Sequence, residues 1–157
     1  MSMYGIRVKA MKKTLFVEAQ TENLYEVTDF VEAGLEEAGC TMKEVMRINL
    51  AVEEIFVNIA HYAYGRKDAE GRIIPDTGAG PVEIILDSDP SRVELTFIDE
   101  GLQYDPLKKE DPDTTLSVED REVGGLGIFM VKKIMDDVSY QYQEGRNRLT
   151  LVKYRTA

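Results

Sequence analysis

The longest periodic segment of the chain, from Thr41 to Gly65, places the strongest constraint on the fold. Thr41 and Glu44 have the spacing of a capping box, which marks the start of a helix, and Gly65 is typical of a helix stop. The pattern therefore predicts one long amphipathic helix, which must bury its apolar face against a second layer. Its apolar stripe is Val45, Ile48, Val52, Ile55 and Ile59, and the neighbouring stripe is Arg47, Ala51, Glu54, Asn58 and His61.

Shorter helical and β-rich patterns flank this helix on both sides. Thr21 is predicted to cap the first helix and Gly39 to end it, and the chain is predicted to close with two strands turned at residues 145–147. The predicted elements thus follow one another in the order βα, αβ, βα, ββ. In chain order the predicted elements are strand Lys13 to Val17, helix 21–39, the long helix, strands Val82 to Leu86 and Arg92 to Ile98, helix Ile128 to Val138, and strands Ser139 to Gln143 and Leu149 to Tyr154.

Two segments have no regular pattern. The Gly- and Pro-rich stretch from Arg66 to Pro81 contains either a small hairpin or a flexible insertion around Glu70-Gly71. The polar stretch from Leu107 to Glu122 is predicted to be a surface loop, and a loop of that length often has a function.

Composition narrows the function classes. The chain has 157 residues, 19 bases and 29 acids, so its net charge of −10 opposes binding to nucleic acid or to an acidic membrane surface. No apolar run reaches the roughly 18 residues of a membrane span, and no signal peptide is evident, so we expect one cytoplasmic domain covering residues 1–157. The single cysteine and single histidine exclude an internal disulfide and most metal cages.

Glu54 and Asn58 are an i, i+4 pair on the long helix and share one face. A glutamate can take a proton from a hydroxyl group, and an amide oxygen can join the octahedral oxygen shell of Mg²⁺. Most helical Glu/Asn pairs are simply solvated. Asn58 is different because its neighbours are apolar, and a buried polar group without a partner costs about 1–3 kcal/mol.

Two glycine-containing motifs follow. Asp99-Glu100-Gly101 ends a strand, where a carboxylate could accept a hydrogen bond from an exocyclic amine; an ordinary Asp turn is the alternative. Gly124-Gly125-Leu126-Gly127 precedes a helix, whose first N–H groups suit phosphate; a flexible hinge is the alternative. No strand immediately precedes the glycines and no GxxxxGK[ST] loop occurs, which excludes the dinucleotide-binding crossover and the P-loop.

In this order, the three motifs resemble the N, G1 and G2 boxes of the GHKL ATPase superfamily. The stretches AVEEIFVNIAHYAYG, DEGLQYDPL and GGLGIFMVKKIMDDVSY are similar to the single-domain anti-sigma-factor serine/threonine kinases, and the resemblance covers about Lys13 to Lys153. It implies the Bergerat fold: a two-layer α/β sandwich with a mixed, mostly antiparallel sheet and about three helices on one face. A histidine-kinase-like ATPase domain is thus expected.

The resemblance also implies roles for individual residues, with ATP and Mg²⁺ as cofactors. Glu54 corresponds to the catalytic base, Asn58 to the Mg²⁺ ligand, and Asp99 to the residue that reads adenine. We add Arg121 as the one nearby arginine able to reach a γ-phosphate. The remaining expected nucleotide-binding residues are Gly101, which lets the backbone pack closely, Gly125, Leu126 and Gly127 of the phosphate lid, and Thr150, which would assist Asp99 near the base.

By the same resemblance the protein is a serine/threonine kinase and anti-sigma factor that phosphorylates a small anti-anti-sigma (STAS-type) protein. A sigma factor as competing partner and a homodimer are implied too. A nucleotide-dependent partner-switching module with little or no turnover is the alternative. The chain departs from the pattern at Gln103, where a second glycine is frequent, in the long 66–80 stretch, and in the acidic lid at 105–122.

Overall fold

The computed structural model describes residues 10–108 and 125–155, in which seven strands and three α-helices are found. Short 3₁₀ turns lie at Thr21–Asn23 and Pro106–Lys108. The strands are β1 (Met11–Glu18), β2 (Arg66–Lys67), β3 (Ile73–Ile74), β4 (Pro81–Ser88), β5 (Arg92–Asp99), β6 (Asp137–Gln143) and β7 (Arg146–Tyr154), and the helices are α1 (Leu24–Glu37), α2 (Met42–Asn58) and α3 (Gly125–Ile134).

Five of the strands form one sheet in the order β1-β4-β5-β7-β6. The sequence predicted a mixed, mostly antiparallel sheet, and in the described part of the chain all four strand pairs are antiparallel. Side chains alternate between the two sheet faces, as the period of two requires. The predicted hairpin of β4 and β5 is confirmed, with Ile84 opposite Phe97 in its centre.

The three helices pack against one face of this sheet and enclose a single hydrophobic core. Phe56 of α2 and Phe97 of β5 are among its largest fully buried side chains. Each such side chain stabilises the fold by about 1.5–3 kcal/mol through removal of apolar surface from water. The two-layer α+β architecture expected from the sequence is therefore confirmed.

The capping box at the start of α2 is also confirmed. Thr41 Oγ1 accepts the Glu44 N–H at 3.2 Å, and Glu44 Oε1 accepts the Thr41 N–H at 3.0 Å. At the other end the structure adds a feature that the sequence did not predict: regular α-helix stops at Asn58, and a π-helical turn, Ile59–Ala63, continues toward Gly65. Such turns are rare and frequently occur at functional sites.

Several predicted boundaries were wrong. The last helix ends at Ile134, so Val138 belongs to β6. The final turn is at Glu144 and Gly145, whose φ angles of 55° and 77° match the tight turns that join antiparallel strands, and Asn147 consequently lies within β7. Thr21 does not cap α1, which begins at Leu24 after the 3₁₀ turn.

The two segments without a regular pattern have different outcomes. The stretch after Gly65 contains a small antiparallel hairpin, β2–β3, in which Lys67 is opposite Ile73. Most of the predicted 107–122 loop lies outside the described residues. Among the helices of residues 10–108 and 125–155, none combines the length and apolarity needed to cross a bilayer.

Candidate functional site

A cavity of about 370 Å³ opens between α2, the start of α3 and the helix-facing side of the sheet. Its wall is mostly apolar, which suits a flat ring, and polar side chains reach it from three elements: Asn58 at the end of α2, Asp99 at the end of β5, and Asn147 of β7. Asn58 and Asp99, 41 positions apart in the sequence, are thus brought to one cavity.

Asp99 is the most deeply placed charged group of this cavity, with 5% of its surface exposed. Burial raises the pKa of its carboxyl group above the ordinary value of 3.8, and hydrogen bonds from Asn147 and the Gly101 N–H oppose that rise. Both bonds, each 2.9 Å long, end on Oδ1. In the described part of the chain Oδ2 has no hydrogen-bond partner, so it is available to accept a hydrogen bond from a ligand amine.

Asn147 is the functional residue that the sequence analysis missed. It lies directly opposite Asp99 in the β5–β7 pair. Its Nδ2 donates to Asp99 and also to the Leu102 carbonyl oxygen at 2.9 Å, while its Oδ1 accepts the Tyr104 N–H at 3.1 Å and the Tyr140 hydroxyl. Because its amide is fully used within the protein, Asn147 orients Asp99 and its loop. The sequence signal that could have identified Asn147 is the two-residue turn at 144–145, because its position sets the pairing of Asn147 with Asp99.

Thr150 does not occupy the place expected for it. It is opposite Thr96, with 3.5 Å between the two hydroxyl oxygens, and both side chains lie on the sheet face away from the helices. Asp99 and Asn147 lie on the helix-facing side, three residues away from these threonines in their respective strands. The expected assistance to Asp99 therefore comes from Asn147, because strand alternation places only every second residue of β7 on that side.

Gly101 packs directly on the π-helical turn. A Cβ atom at this position would lie 2.6 Å from the carbonyl carbon of Ala63, and the Leu102 N–H donates to the Ala63 oxygen at 2.9 Å. Only a residue without a side chain allows this approach of two backbones. The contact aligns the turn after β5 with the end of α2, and so sets the position of Asp99 relative to Asn58.

Tyr64 reinforces the same junction from the other side. Its hydroxyl donates to the Pro81 carbonyl oxygen and accepts the Glu100 N–H at 2.8 Å. Burial raises the pKa of this phenol to about 12. The hydroxyl therefore stays protonated and holds both partners across the physiological range.

Glu54 of α2 lies against the first turn of α3. A Cβ atom at Gly127 would overlap Oε2 of Glu54 and lie 3.4 Å from its carboxyl carbon, so the glycine makes room for the carboxylate. Asn58 is one helical turn further along α2, and within residues 10–108 and 125–155 neither side chain has a hydrogen-bond partner. Gly125 and Leu126 begin α3, whose first N–H groups have no helical acceptors. Arg121 lies outside the described residues.

These groups fit a magnesium nucleotide. An apolar slot with one buried carboxylate at its end matches a purine with an exocyclic amine, and an unpaired amide oxygen is a suitable Mg²⁺ ligand. The start of α3, which Gly127 brings close to Glu54, is suited to phosphate oxygens.

Comparisons with known proteins show the family of the chain. Residues 17–153 match the family model of the histidine kinase-like ATPase domain, and the chain therefore belongs to that family.

Among curated relatives, the serine/threonine-protein kinase BtrW of Bordetella bronchiseptica is 29% identical over 68% of this chain and 68% of its own length. The serine-protein kinase RsbW of Bacillus pumilus is 30% identical over 68% of this chain and 64% of its own length, so the matched region spans about two thirds of these relatives.

A solved structure has the same fold. The crystal structure of the RsbU and RsbW domains of Rv1364c from Mycobacterium tuberculosis superposes with a TM-score of 0.56 at 13% identity. The match covers 91% of this chain and 31% of that one. It supports the Bergerat-type architecture that the motifs predicted.

Proposed function

We propose that this protein is an ATP-dependent serine/threonine kinase that acts as an anti-sigma factor. The observation that carries the proposal is the placement of Glu54, Asn58 and Asp99 along one site: an unpaired carboxylate beside a helix start, an unpaired amide in the cavity, and a buried carboxylate at its far end. Membership of the ATPase family and relatives named serine-protein kinases support it.

Each residue has one task in this mechanism. Asp99 Oδ2 accepts a hydrogen bond from the exocyclic amine of adenine, while Asn147 and Gly101 keep Oδ1 in place. The side-chain oxygen of Asn58 would hold Mg²⁺, which would supply positive charge to offset the negative charge of the phosphates. The first turn of α3, with Gly125, Leu126 and Gly127, holds the phosphates, and we assign Arg121 to the γ-phosphate.

Glu54 acts as the general base. It accepts the proton of the attacking serine hydroxyl as the serine oxygen bonds to the γ-phosphorus and the bond to the ADP oxygen breaks. Most of the rate enhancement then comes from positioning and charge stabilisation, which agrees with a site built from few side chains.

The acceptor is proposed to be a small anti-anti-sigma protein of the STAS type, with a sigma factor as a competing partner of a kinase homodimer in the cytoplasm. These partners come from the resemblance to the anti-sigma kinases, and the relatives named RsbW support them.

A phosphotransfer assay tests the proposal. We expect the wild-type protein, incubated with [γ-³²P]ATP, Mg²⁺ and a purified STAS-type acceptor, to label that acceptor, and Glu54→Ala to abolish the label. Binding of nucleotide and acceptor without transfer would instead identify a partner-switching module. Absence of any thermal stabilisation by Mg²⁺-ATP would contradict both functions, since a ligand at one hundred times its Kd stabilises the native state by about 2.7 kcal/mol.

A further inference from the structure

The hairpin after Gly65 contributes a wall to the nucleotide cavity. Ile73 of β3 lines the cavity together with Tyr62 and Ala63 of the π-helical turn. Its neighbour Ile74 is 42% exposed and is not part of the lining. Two adjacent isoleucines of one short strand therefore have opposite surroundings, one facing the cavity and one facing solvent.

The hairpin packs closely on the chain that follows the π-helical turn. A Cβ atom at Gly65 would overlap the Ile73 side chain and lie 2.9 Å from the Ile74 carbonyl oxygen. Thr77 closes the hairpin from the other side. Its Oγ1 accepts the Arg66 N–H at 2.7 Å and donates to the Ile74 carbonyl oxygen at 2.8 Å.

A second connection ties the hairpin to the π-helical turn itself. His61 Nδ1 and Asp76 Oδ1 are 2.6 Å apart, and the Asp76 N–H donates to the His61 carbonyl oxygen at 3.0 Å. Asp76 adopts a left-handed φ of 61°, which brings both its backbone and its side chain toward His61. We call this pair of contacts the His61–Asp76 latch.

Building on the proposed ATP site, we propose that Ile73 is a specificity-determining residue that limits the size of the purine, and that the His61–Asp76 latch keeps it in place. If Ile73 were on a flexible loop, a larger purine ring could displace its side chain, and the residue could not limit the size of the ring. Here Gly65 packs against the hairpin, Thr77 joins Arg66 to Ile74, and the solvent-exposed latch adds two contacts, so the backbone that carries Ile73 is held beside the cavity.

The test compares Ile73→Ala with Ile74→Ala, which removes the same atoms one residue away on the solvent side. Affinities are measured by calorimetry for Mg²⁺-ATP and for ATP analogues that carry added groups at N6, C2 or C8. We expect Ile73→Ala to weaken ATP binding about fivefold to tenfold and to improve the affinity of at least one analogue, relative to ATP, by fivefold or more. Ile74→Ala should match the wild type.

The latch is tested with Asp76→Gly and Asp76→Asn. Both tolerate the left-handed φ, but only asparagine retains an oxygen that can accept the His61 hydrogen bond. We expect Asp76→Gly to accelerate ATP dissociation about threefold and to relax analogue discrimination, and Asp76→Asn to remain close to the wild type.

The outcomes separate this inference from the function on which it rests. If the wild-type protein binds no Mg²⁺-ATP, the proposed function fails. If it binds Mg²⁺-ATP but Ile73→Ala and Ile74→Ala give the same analogue profile, only the role of Ile73 is overturned. If Asp76→Gly and Asp76→Asn behave alike, the latch has no part in holding the wall.

Discussion

The two ends of the proposed nucleotide site are built in opposite ways. At the base end, Asp99 is 5% exposed and receives two hydrogen bonds, and Asn147 has every polar atom paired within the protein. At the phosphate end, Glu54 and Asn58 are half-buried, with no partner in the described part of the chain. The Asp99 end is a hydrogen-bond network with one free acceptor, Asp99 Oδ2, whereas Glu54 and Asn58 make no hydrogen bond within the described part of the chain.

This difference separates recognition from chemistry. A buried network in which Asn147 and Asp99 Oδ1 are paired holds the remaining acceptor, Asp99 Oδ2, at a fixed position, which favours selection of one ring. A base or a metal ligand must exchange partners during turnover, so it cannot be tied to the protein in the same way. Mutations at the base end should therefore change binding, and those at the phosphate end should change turnover.

The largest expected effect is at the phosphate end. Glu54→Gln removes the proton acceptor but retains the shape of the side chain, so phosphotransfer should fall about 10²- to 10⁴-fold while the Kd of Mg²⁺-ATP changes little. Glu53→Gln, at the exposed preceding position, is the matched control. If calorimetry shows that Glu54→Gln loses Mg²⁺-ATP binding, the separation of binding from turnover is contradicted. An equal loss of phosphotransfer by Glu53→Gln would contradict it as well.

At the base end we expect a smaller effect of the opposite kind. Asp99→Asn replaces a charged acceptor with a neutral amide, whose NH₂ group cannot accept a hydrogen bond from adenine. A charge-assisted hydrogen bond contributes about 1.5–3 kcal/mol, so the Kd should rise roughly 10- to 100-fold. Glu100 is exposed in the same turn, so Glu100→Gln should leave the Kd of Mg²⁺-ATP unchanged. A change in transfer rate at saturating ATP would contradict the assignment of Asp99 to recognition alone.

Gly127→Ala tests the contact between α3 and Glu54. The added methyl would overlap Oε2 of Glu54 and must displace the carboxylate. We expect turnover to fall roughly tenfold, since a shift of 1 Å can cost as much as 10²-fold. Alanine is the better helix former, so the unfolding midpoint should stay the same or rise. A loss of stability together with activity would show that the glycine has a folding role instead.

The smallest effect concerns stability and pH. Because the pKa of Asp99 is raised on folding, the folded state binds more protons than the unfolded state between pH 3.8 and the raised pKa. The free energy of unfolding therefore falls as the pH rises through this interval, and the deficit persists above it. Asp99→Asn should be more stable than the wild type at neutral pH, with a gap that closes toward acid pH in denaturant titrations. A constant gap would exclude ionisation of Asp99 as its cause.

Sequence signals predicted structural features correctly where those features depend on contacts between residues close in the sequence. The capping box of Thr41 and Glu44 involves residues three apart, and the stop at Gly39 needs only its φ of 84°. The pairing of Glu54 with Asn58 on one helix face follows from the helical repeat alone. None of these depends on what the rest of the chain does.

The errors arose where distant segments set the geometry. The choice between Thr150 and Asn147 depends on where the turn before β7 falls, and strand alternation then decides which residue faces Asp99. The small hairpin, one of the two alternatives for the 66–81 stretch, is confirmed, but the contacts of Gly65, Thr77 and Asp76 that hold it have no signature in a Gly- and Pro-rich stretch.

The sequence by itself determined the class of fold, the helix that carries Glu54 and Asn58, and the three motifs of an ATPase family. Helical periodicity, capping and glycine spacing act over a few residues, so they can be recognised from the sequence. Only the tertiary structure decided which residue supports Asp99, why Gly101 must be glycine, that Gly127 lies against Glu54, and what closes the cavity at Ile73. Those features depend on strand register and on close contacts between residues far apart in the sequence, which no local pattern encodes.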